Sequence, residues 1–314
     1  MRSHTTFVIN PAAGRGRVGQ MLGRLEAAIR QYARSFDIAI AVTEFPGHAI
    51  QIAQNAPASS RVIAVGGDGT VHEVLRGIAG SDKAIGVVPI GSGNDFARMV
   101  GLHKLPLEAA LRTALQATIH RVDLGLVNNR PYGASLGIGF DAAVARKALS
   151  APTFLRGMPR YLYSMFGVLK ELELPTLVLI QNNQTLYQGP SLLVALMNGS
   201  TYGGGIPIVP DAVPTDGLIS VAVAGAFSRL GVVGILPRLI MGKHVHHPRL
   251  HFFRGTEFVV RFDRPVPAHS DGELLEPSQE YRVQVIPGGL QVVACLTKPA
   301  TDVTGNRARL HSAW

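Results

Sequence analysis

The stretch Val62-Ile63-Ala64-Val65-Gly66-Gly67-Asp68-Gly69-Thr70-Val71-His72-Glu73-Val74 decides how this chain is read. An apolar run of strand length stops on a glycine-flanked carboxylate, and apolar residues then return at helical spacing. That order describes a strand delivering an anion-binding turn to a helix. Glycines let the backbone approach a ligand and take positive φ, and the free N–H groups of the helix start face phosphate oxygens. Asp68 either holds a cation or orders a phosphate-bound network. The segment implies a protein that handles a nucleotide.

The flanking sequence repeats the pattern. Strand-like runs at 6–10, 36–42, 61–66 and 84–88 are separated by helical patterns at 17–34, 47–56 and 71–80. Such alternation predicts a parallel sheet covered on both faces, with ligands gathered at the carboxyl ends of its strands. The loops Asn10 to Gly16, Thr43 onward, Gly66 to Thr70 and Pro89 to Asp95 all fall there, so four loops converge on one crevice. Asn10-Pro11-Ala12-Ala13-Gly14-Arg15-Gly16 lacks the lysine-hydroxyl ending of a P-loop, which excludes the Walker reading. In Pro89-Ile90-Gly91-Ser92-Gly93-Asn94-Asp95 the polar residues either cap the next helix or meet phosphate.

After Val122-Asp123-Leu124-Gly125 the texture changes. Short β-rich runs at 131–138, 176–181, 185–196, 217–224, 256–262 and 281–286 predict an antiparallel sandwich or barrel-like domain. Helical inserts are expected near 159–172 and 228–241. The 314 residues suggest two domains. They are an α/β nucleotide-binding domain at 1–124, with 288–300 a candidate to rejoin it, and a β-rich substrate domain at 125–287, followed by a loose tail at 301–314.

Composition narrows the class. Hydrophobic residues make up 46% and charged ones 16%, which excludes a disordered chain, and the mean hydropathy of +0.20 agrees. A net charge of +9 and a pI near 10.0 favour an anionic partner: nucleic acid, a polyphosphate or an acidic membrane surface. Part of that charge sits in Arg307 and Arg309. Cys295 stands alone, which excludes an internal disulfide, fits a reducing compartment and reads as a small buried residue of a C-terminal strand. A first strand at Phe7 to Asn10 leaves no room for a signal peptide. Leu218 to Leu236 is nearly long enough to span a bilayer. Arg229 in its middle, Ser228 as an N-cap and Val221-Ala222-Val223 as strand make it strand, turn and helix instead.

Four segments of the second half carry candidate chemistry. In Ser270-Asp271-Gly272-Glu273 one carboxylate can accept a proton while the other fixes it, or the four residues form a hairpin turn. Pro210 to Gly217 either presents carboxylate and carbonyl oxygens to Mg²⁺ or is a tight turn. Lys243-His244-Val245-His246-His247-Pro248 lacks a fourth zinc ligand and is not expected to bind the metal. Between Thr153 and Leu174, Arg156, Arg160 and Lys170 flank Tyr161, Leu162, Met165, Phe166 and Leu169. Their spacing places the apolar residues mostly on one helical face, which favours a helix covering the β domain over one lying on anionic lipid.

Taken in order, Asn10-Pro11 with Gly14, Thr43 with Gly47-His48-Ala49, Gly66 to Thr70, Pro89 with Gly91 to Arg98, Val122 to Gly125, Gly137 to Ala142, Thr215-Asp216-Gly217 and Asp271-Gly272-Glu273 form a recognisable set. It resembles the diacylglycerol kinase catalytic-domain family, in particular soluble bacterial lipid kinases related to sphingosine kinases, from about residue 5 to about residue 295. Gly-Gly-Asp-Gly-Thr alone also suits NAD kinases and comes close to phosphofructokinases, so the second-domain motifs supply the specificity.

The resemblance implies an α/β plus all-β fold. An N-terminal parallel-sheet domain of the NAD-kinase and phosphofructokinase type would be followed by a C-terminal antiparallel β-sandwich, with the active site in the cleft between them. ATP phosphates would lie against Gly66, Gly67, Asp68, Gly69, Thr70, Ser92, Gly93 and Asn94, with Asn10, Pro11, Gly14, Arg15, Thr43 and Glu73 nearby. Asp68 would organise the catalytic Mg²⁺, and a structural Mg²⁺ would lie at Asp216 with the carbonyls of Val213 and Leu218. Glu273, assisted by Asp271, would be the base, while Arg15, Asp95 and Asp123 complete a charged network with Asp68. His72 stands where many relatives carry Asn and Ser92 where many carry Thr, and both keep hydrogen-bonding capacity.

The implied activity is an ATP- and Mg²⁺-dependent lipid kinase of phospholipid metabolism acting on diacylglycerol or a related lipid such as a sphingoid base. NAD kinase is the enzyme alternative and explains Asp271-Gly272-Glu273 poorly. A non-catalytic nucleotide-binding regulator is the other, and the intact carboxylates argue against it. The expected setting is cytoplasmic, in peripheral contact with the inner face of the membrane, without nucleic acid and with a homodimer left open.

Overall fold

The computed structural model describes residues 4–33, 35–152, 155 and 158–294. Arg156, Cys295, Arg307, Arg309 and the expected tail lie outside the described residues.

The first lobe alternates: β1 (His4–Ile9), α1 (Arg17–Gln20), α2 (Leu22–Arg30), β2 (Asp37–Val42), α3 (His48–Asn55), β3 (Arg61–Gly66), α4 (Asp68–Ile78), β4 (Ala84–Pro89), α5 (Asp95–Met99) and α6 (Leu107–Gln116). The strands pair in parallel in the order β2-β1-β3-β4, Val8 standing beside Ala64 and Val62 beside Ile85. Both faces of each central strand are buried, so the side-chain period of two sorts the residues between two cores. Phe7, Ile9, Ile63 and Val65 meet Leu25 and Ile29 of α2 and Leu111 of α6. Val8, Val62 and Ala64 meet Ala53 of α3 and Val74, Leu75 and Ile78 of α4.

The second lobe begins with β5 (Ile119–Val127), β6 (Arg130–Tyr132), β7 (Ser135–Gly139), α7 (Phe140–Leu149) and α8 (Met158–Lys170). It continues through β8 (Thr176–Gln181), β9 (Gln184–Pro190), β10 (Leu193–Met197), β11 (Thr201–Tyr202), β12 (Ile206–Pro207), β13 (Ile219–Ala224), α9 (Arg229–Ile240), β14 (Leu250–Gly255), β15 (Glu257–Ser270) and β16 (Glu273–Val293). Antiparallel strands run β14-β13-β10-β7-β15-β16, and β8 with β9 extends from the first half of β15. β15 turns the corner between layers. Val259 to Phe262 pair with β8, whereas Ala268 to Ser270 pair with β7 after register shifts between Arg261 and Ala268. Leu136, Val194 and Val221 thereby share an apolar interior with Leu177, Phe258 and Val260.

β16 joins the lobes. It leaves the turn after Ser270, pairs antiparallel with β5, and ends parallel to β4 with Gln291 beside Ala84. The two-lobed architecture agrees with the expected parallel α/β half followed by an antiparallel β half. Several local expectations need correction. Residues 17–34 form two helices interrupted at Met21, because the Gly19 amide is drawn to the Pro11 carbonyl at 3.0 Å. The run 185–196 is two strands, since the chain turns at Ser191 and Leu192 to change neighbours. A third helix of the β lobe, α7, follows Gly139 at φ 111. β15 and β16 are longer than their apolar runs because they run on through irregularities, between Arg261 and Ala268 in β15 and at Pro287, Gly288 and Gly289, between Ile286 and Leu290, in β16.

The two helical inserts also differ in detail from expectation. On α8 the apolar residues divide between two faces. Met165 and Leu169 are buried with Phe140 and Val144 of α7, whereas Leu162, Tyr163 and Phe166 are exposed. Leu218 to Leu236 resolves into β13, a turn and the start of α9, where Ser228 Oγ accepts from Gly231 N at 3.1 Å. No helix among the described residues is long and apolar enough to cross a membrane.

Candidate active site

The loops after β1, β3 and β4 fit together because glycines remove side chains where they touch. A Cβ on Gly14 would lie 2.7 Å from the Ile90 carbonyl oxygen, and one on Gly91 would lie 2.6 Å from Gly67 Cα. Substitution at either position forces the loops apart. Asn10 fastens the loop after β1 to the start of α4, donating to Thr70 Oγ1 at 3.1 Å while accepting from Ala12 N at 3.0 Å. Glu73, on α4, accepts from Gly47 N at 3.0 Å and Ala49 N at 3.2 Å and so caps the start of α3. Thr43 is buried beside this join, and its own amide reaches the Ile9 carbonyl at 2.8 Å.

Asp68 does the same between α4 and α5. Its carboxylate accepts from Asn94 N at 2.8 Å and Asp95 N at 2.7 Å, while Asn94 closes its own turn onto Gly91. Burial raises the Asp68 pKa above the ordinary aspartate value, against the lowering effect of those two amides. Each oxygen accepts one backbone N–H, which orders the loop and leaves a second lone pair on each oxygen for a cation. Asp95 in turn accepts from Gly204 N of the second lobe at 3.0 Å, and burial followed by the Asp68 charge raises its pKa. Ser92 is exposed at the loop tip beside Gly93.

Asp271 comes from the turn between β15 and β16 with φ 49. It accepts from Gly133 N at 2.7 Å, Ala134 N at 2.8 Å and Ser135 N at 3.0 Å, and His72 Nδ1 of α4 lies 3.3 Å away. Burial opposes its charge, yet His72 and the backbone donors hold its pKa below the ordinary aspartate value. This carboxylate therefore fixes the turn that carries Glu273. Glu273 reaches the phosphate loop: its Oε1 lies 3.0 Å from where a Cβ on Gly69 would stand.

Two hollows meet at this wall. One, of about 400 Å³, is lined by Asn10, Pro11, Gly14, Thr43, Gly67, Gly69, Thr70, Glu73 and Glu273. Phe45, which the sequence reading missed, also lines it and stacks on His48 with ring centroids 4.5 Å apart. The other, of about 500 Å³, is lined by Arg15, Asp68, Asp95 and Asp271 together with Asp141, Arg160, Tyr161, Tyr202 and His269. A narrow apolar cavity of about 100 Å³ continues from it between the sheet and α9, with Tyr161, Tyr202 and Ile206 common to both.

One expected grouping is not formed. The Asp123 carboxylate is not aimed into a network with Asp68. It accepts from Gly217 N and Gly288 N, both at 2.8 Å, because the chain folds the 214–217 turn onto β5. Asp216 is exposed on that same turn and accepts from Leu218 N at 3.0 Å. One carboxylate beside turn carbonyls is a set of hard oxygens suited to Mg²⁺ or Ca²⁺. His244 is buried with Nε2 2.9 Å from the Ile208 carbonyl oxygen, and His247 stacks on Phe227. Asp141, Tyr202, His269 and His72 were not foreseen as site residues. Two of them carried a signal: Asp141, as the acid following Gly137-Ile138-Gly139-Phe140, and His72, which lies in the glycine-rich stretch where many relatives carry Asn.

Comparison with known proteins agrees with this architecture. Residues 4–127 match the diacylglycerol kinase catalytic domain, and residues 134–294 match the YegS C-terminal NAD kinase beta sandwich-like domain. A diacylglycerol kinase of Mycobacterium tuberculosis is 27% identical over 92% of this chain and 94% of its own. A probable lipid kinase, YegS-like, of Chromohalobacter salexigens is 30% identical over 90% of this chain and 91% of its own. The crystal structure of a diacylglycerol kinase from Bacillus anthracis superposes with a TM-score of 0.74 at 22% identity, covering 93% of this chain and 97% of that one, and shares the fold. With both halves matched in order along one polypeptide, the chain belongs to the diacylglycerol kinase catalytic-domain family.

Proposed function

We propose that this protein is a lipid kinase that transfers the γ-phosphoryl group of ATP to a lipid hydroxyl. The observation that carries the reading is the pair of hollows separated by Gly67 to Gly69, Asp271 and Glu273, one walled by phosphate-binding loops and the other leading into an apolar cavity under α9. A phosphoryl donor and a greasy alcohol then meet across one wall. Phosphoryl transfer needs mainly positioning and charge neutralisation. Backbone amides of Gly67 to Thr70 and of Ser92 and Gly93 hold the phosphates, with Asn94 shaping their loop, Phe45 offers a face to the base, and Arg15 supplies positive charge beside Asp68 and Asp95.

Glu273 takes the proton as the lipid oxygen bonds to the γ-phosphorus and the bond to the β-phosphate oxygen breaks, releasing ADP. Asp271 keeps Glu273 in register. Mg²⁺ would enter with the triphosphate and supply charge neutralisation there, and Asp216 with the carbonyls of Val213 and Leu218 would hold a second, structural cation. The substrate lives in a bilayer, so contact with the membrane surface is part of the reading. The exposed Leu162, Tyr163 and Phe166 of α8 and Leu230, Val233 and Ile240 of α9, beside Arg229, Arg238 and Lys170, form its contact face.

The test is incubation with γ-labelled ATP and Mg²⁺ in three arms: mixed lipid extract, NAD⁺ and no acceptor. Label in the organic phase of the lipid arm alone is expected. Label on NAD⁺ instead, or on nothing in any arm, overturns the proposal.

A further inference from the structure

Phe45 stands in the turn between β2 and α3, where Gly47 at φ 86 folds the chain back and His48 N reaches the Phe45 carbonyl at 3.1 Å. The His48 ring then lies flat against one face of the Phe45 ring, the two planes 2° apart. Glu44 N donates to His48 Nδ1 at 3.1 Å and fixes the imidazole in place. The turn is also anchored to α4, since Glu73 accepts from Gly47 N and Ala49 N. Phe45 is nevertheless 49% exposed, and it lines the hollow walled by the phosphate-binding loops. An apolar ring is thus held in one orientation with much of its surface in water. Covering such a ring with a flat partner is favourable, and the flat part of a nucleoside triphosphate is its base.

The donors around this ring are already spent. Asn10 N donates to the Val65 carbonyl, Ala12 N to Asn10 Oδ1, Ala13 N to the Asn10 carbonyl and Thr43 N to the Ile9 carbonyl. Glu44 N and Gly47 N are taken by His48 and Glu73, while Pro11 and Pro46 carry no N–H. Telling adenine from guanine calls for a donor set against adenine N1 or guanine O6, and these six amides have none to give. Glu44 is an exposed carboxylate, and such an acceptor meets the amino group of either purine. Glu44, Phe45 and Pro46 are all exposed, so a base edge beside them keeps its water and loses little by going unmatched.

We propose that the donor site holds the nucleobase by its face, on Phe45, and leaves its edge unread, so that purine nucleoside triphosphates serve as a class, GTP alongside ATP. This rests on the nucleotide half of the reading above and broadens its donor. Pyrimidines fall behind because a single ring covers less of Phe45 than a fused pair does.

Competition against a fluorescent ribose-labelled ADP in the presence of Mg²⁺ tests this with dissociation constants that do not depend on which lipid is the acceptor. ADP and GDP are expected within about threefold of each other, and UDP about tenfold weaker. Phe45→Ala should weaken ADP and GDP alike by about 5- to 100-fold, the loss of one base–aromatic stack. Phe45→Trp should keep both purines bound, whereas Phe45→Leu should not; a merely structural role would make Leu the better substitute. With mixed lipid extract, γ-labelled GTP should label the organic phase as γ-labelled ATP does, and Phe45→Ala should act on KM for either nucleotide rather than on kcat. A preference of about tenfold or more for ADP over GDP, UDP binding as well as ADP, or an unchanged affinity in Phe45→Ala overturns the proposal. Purine nucleotides bound as expected with no lipid labelled defeats the lipid-kinase reading and leaves this base site standing.

Discussion

Asp271 and Glu273 stand two residues apart and have different tasks. Four donors surround the Asp271 carboxylate, whereas Glu273 reaches across to Gly69 with an exposed side chain. Glu273→Gln should therefore bind ATP normally and lose about 10²- to 10⁴-fold in kcat, as expected for removal of a general base, with thermal stability unchanged. Asp271→Asn should lose stability as well, because an amide cannot accept from all four donors. The Asp271 pKa is depressed on folding, so the stability it adds is fully present above the unfolded aspartate value of 3.8 and is lost as pH falls through the folded value. Melting curves between pH 7 and pH 3 should show a smaller acid-side loss in Asp271→Asn than in the parent protein. The sequence displayed both acids because they share one short turn. It showed His72 but not its pairing with Asp271, and it hid His269 beside Asp141, because these partners are joined only by the folding of the sheet, and it misassigned Asp123, whose carboxylate serves a turn nearly a hundred residues away.

Among the elements, the strands buried on both faces and the helix that follows the glycine-rich turn were the easiest to read. β1, β3 and β4 alternate between two cores, and α4 follows a glycine that stops its strand, so periodicity and turn chemistry agree. The long strands were obscured by their own bulges, and α5 and α6 by short runs that caps alone do not define. α8 was the ambiguous case because its apolar residues cover more than one face, and no pattern says which of them meets α7. The structure gives each face its own test. Leu169→Ala should cost about 2–5 kcal/mol of stability by leaving a cavity beneath the helix. Phe166→Ser on the outer face should change stability by no more than about 0.5 kcal/mol. Chemical denaturation of the two variants measures the difference.

For the molecule as a whole, the charge of +9 matters where it adjoins apolar surface. With their inner faces α8 and α9 cover one apolar cluster, and their outer faces carry Lys170, Arg229 and Arg238. Sedimentation with phosphatidylglycerol vesicles should exceed that with phosphatidylcholine vesicles and weaken with added salt. A double substitution of Phe166 and Leu230 to serine should reduce it without reducing transfer to a short-chain, water-soluble acceptor. Equal binding to both vesicle types would remove the electrostatic part of the argument. The two-lobed plan was visible in the change of texture near residue 125, but the manner in which the lobes are joined was not, because strand pairing is decided by partners distant in the chain.

That join has a mechanical consequence. β16 is hydrogen-bonded into the second lobe at its start and into the first at its end, with the Pro287 to Gly289 bulge between. If the cleft narrows around a bound triphosphate, the bulge is the natural pivot, and the strand becomes a lever arm with Glu273 at its far tip. Stiffening a position that no reactant touches would then slow the stroke that brings the carboxylate to the alcohol.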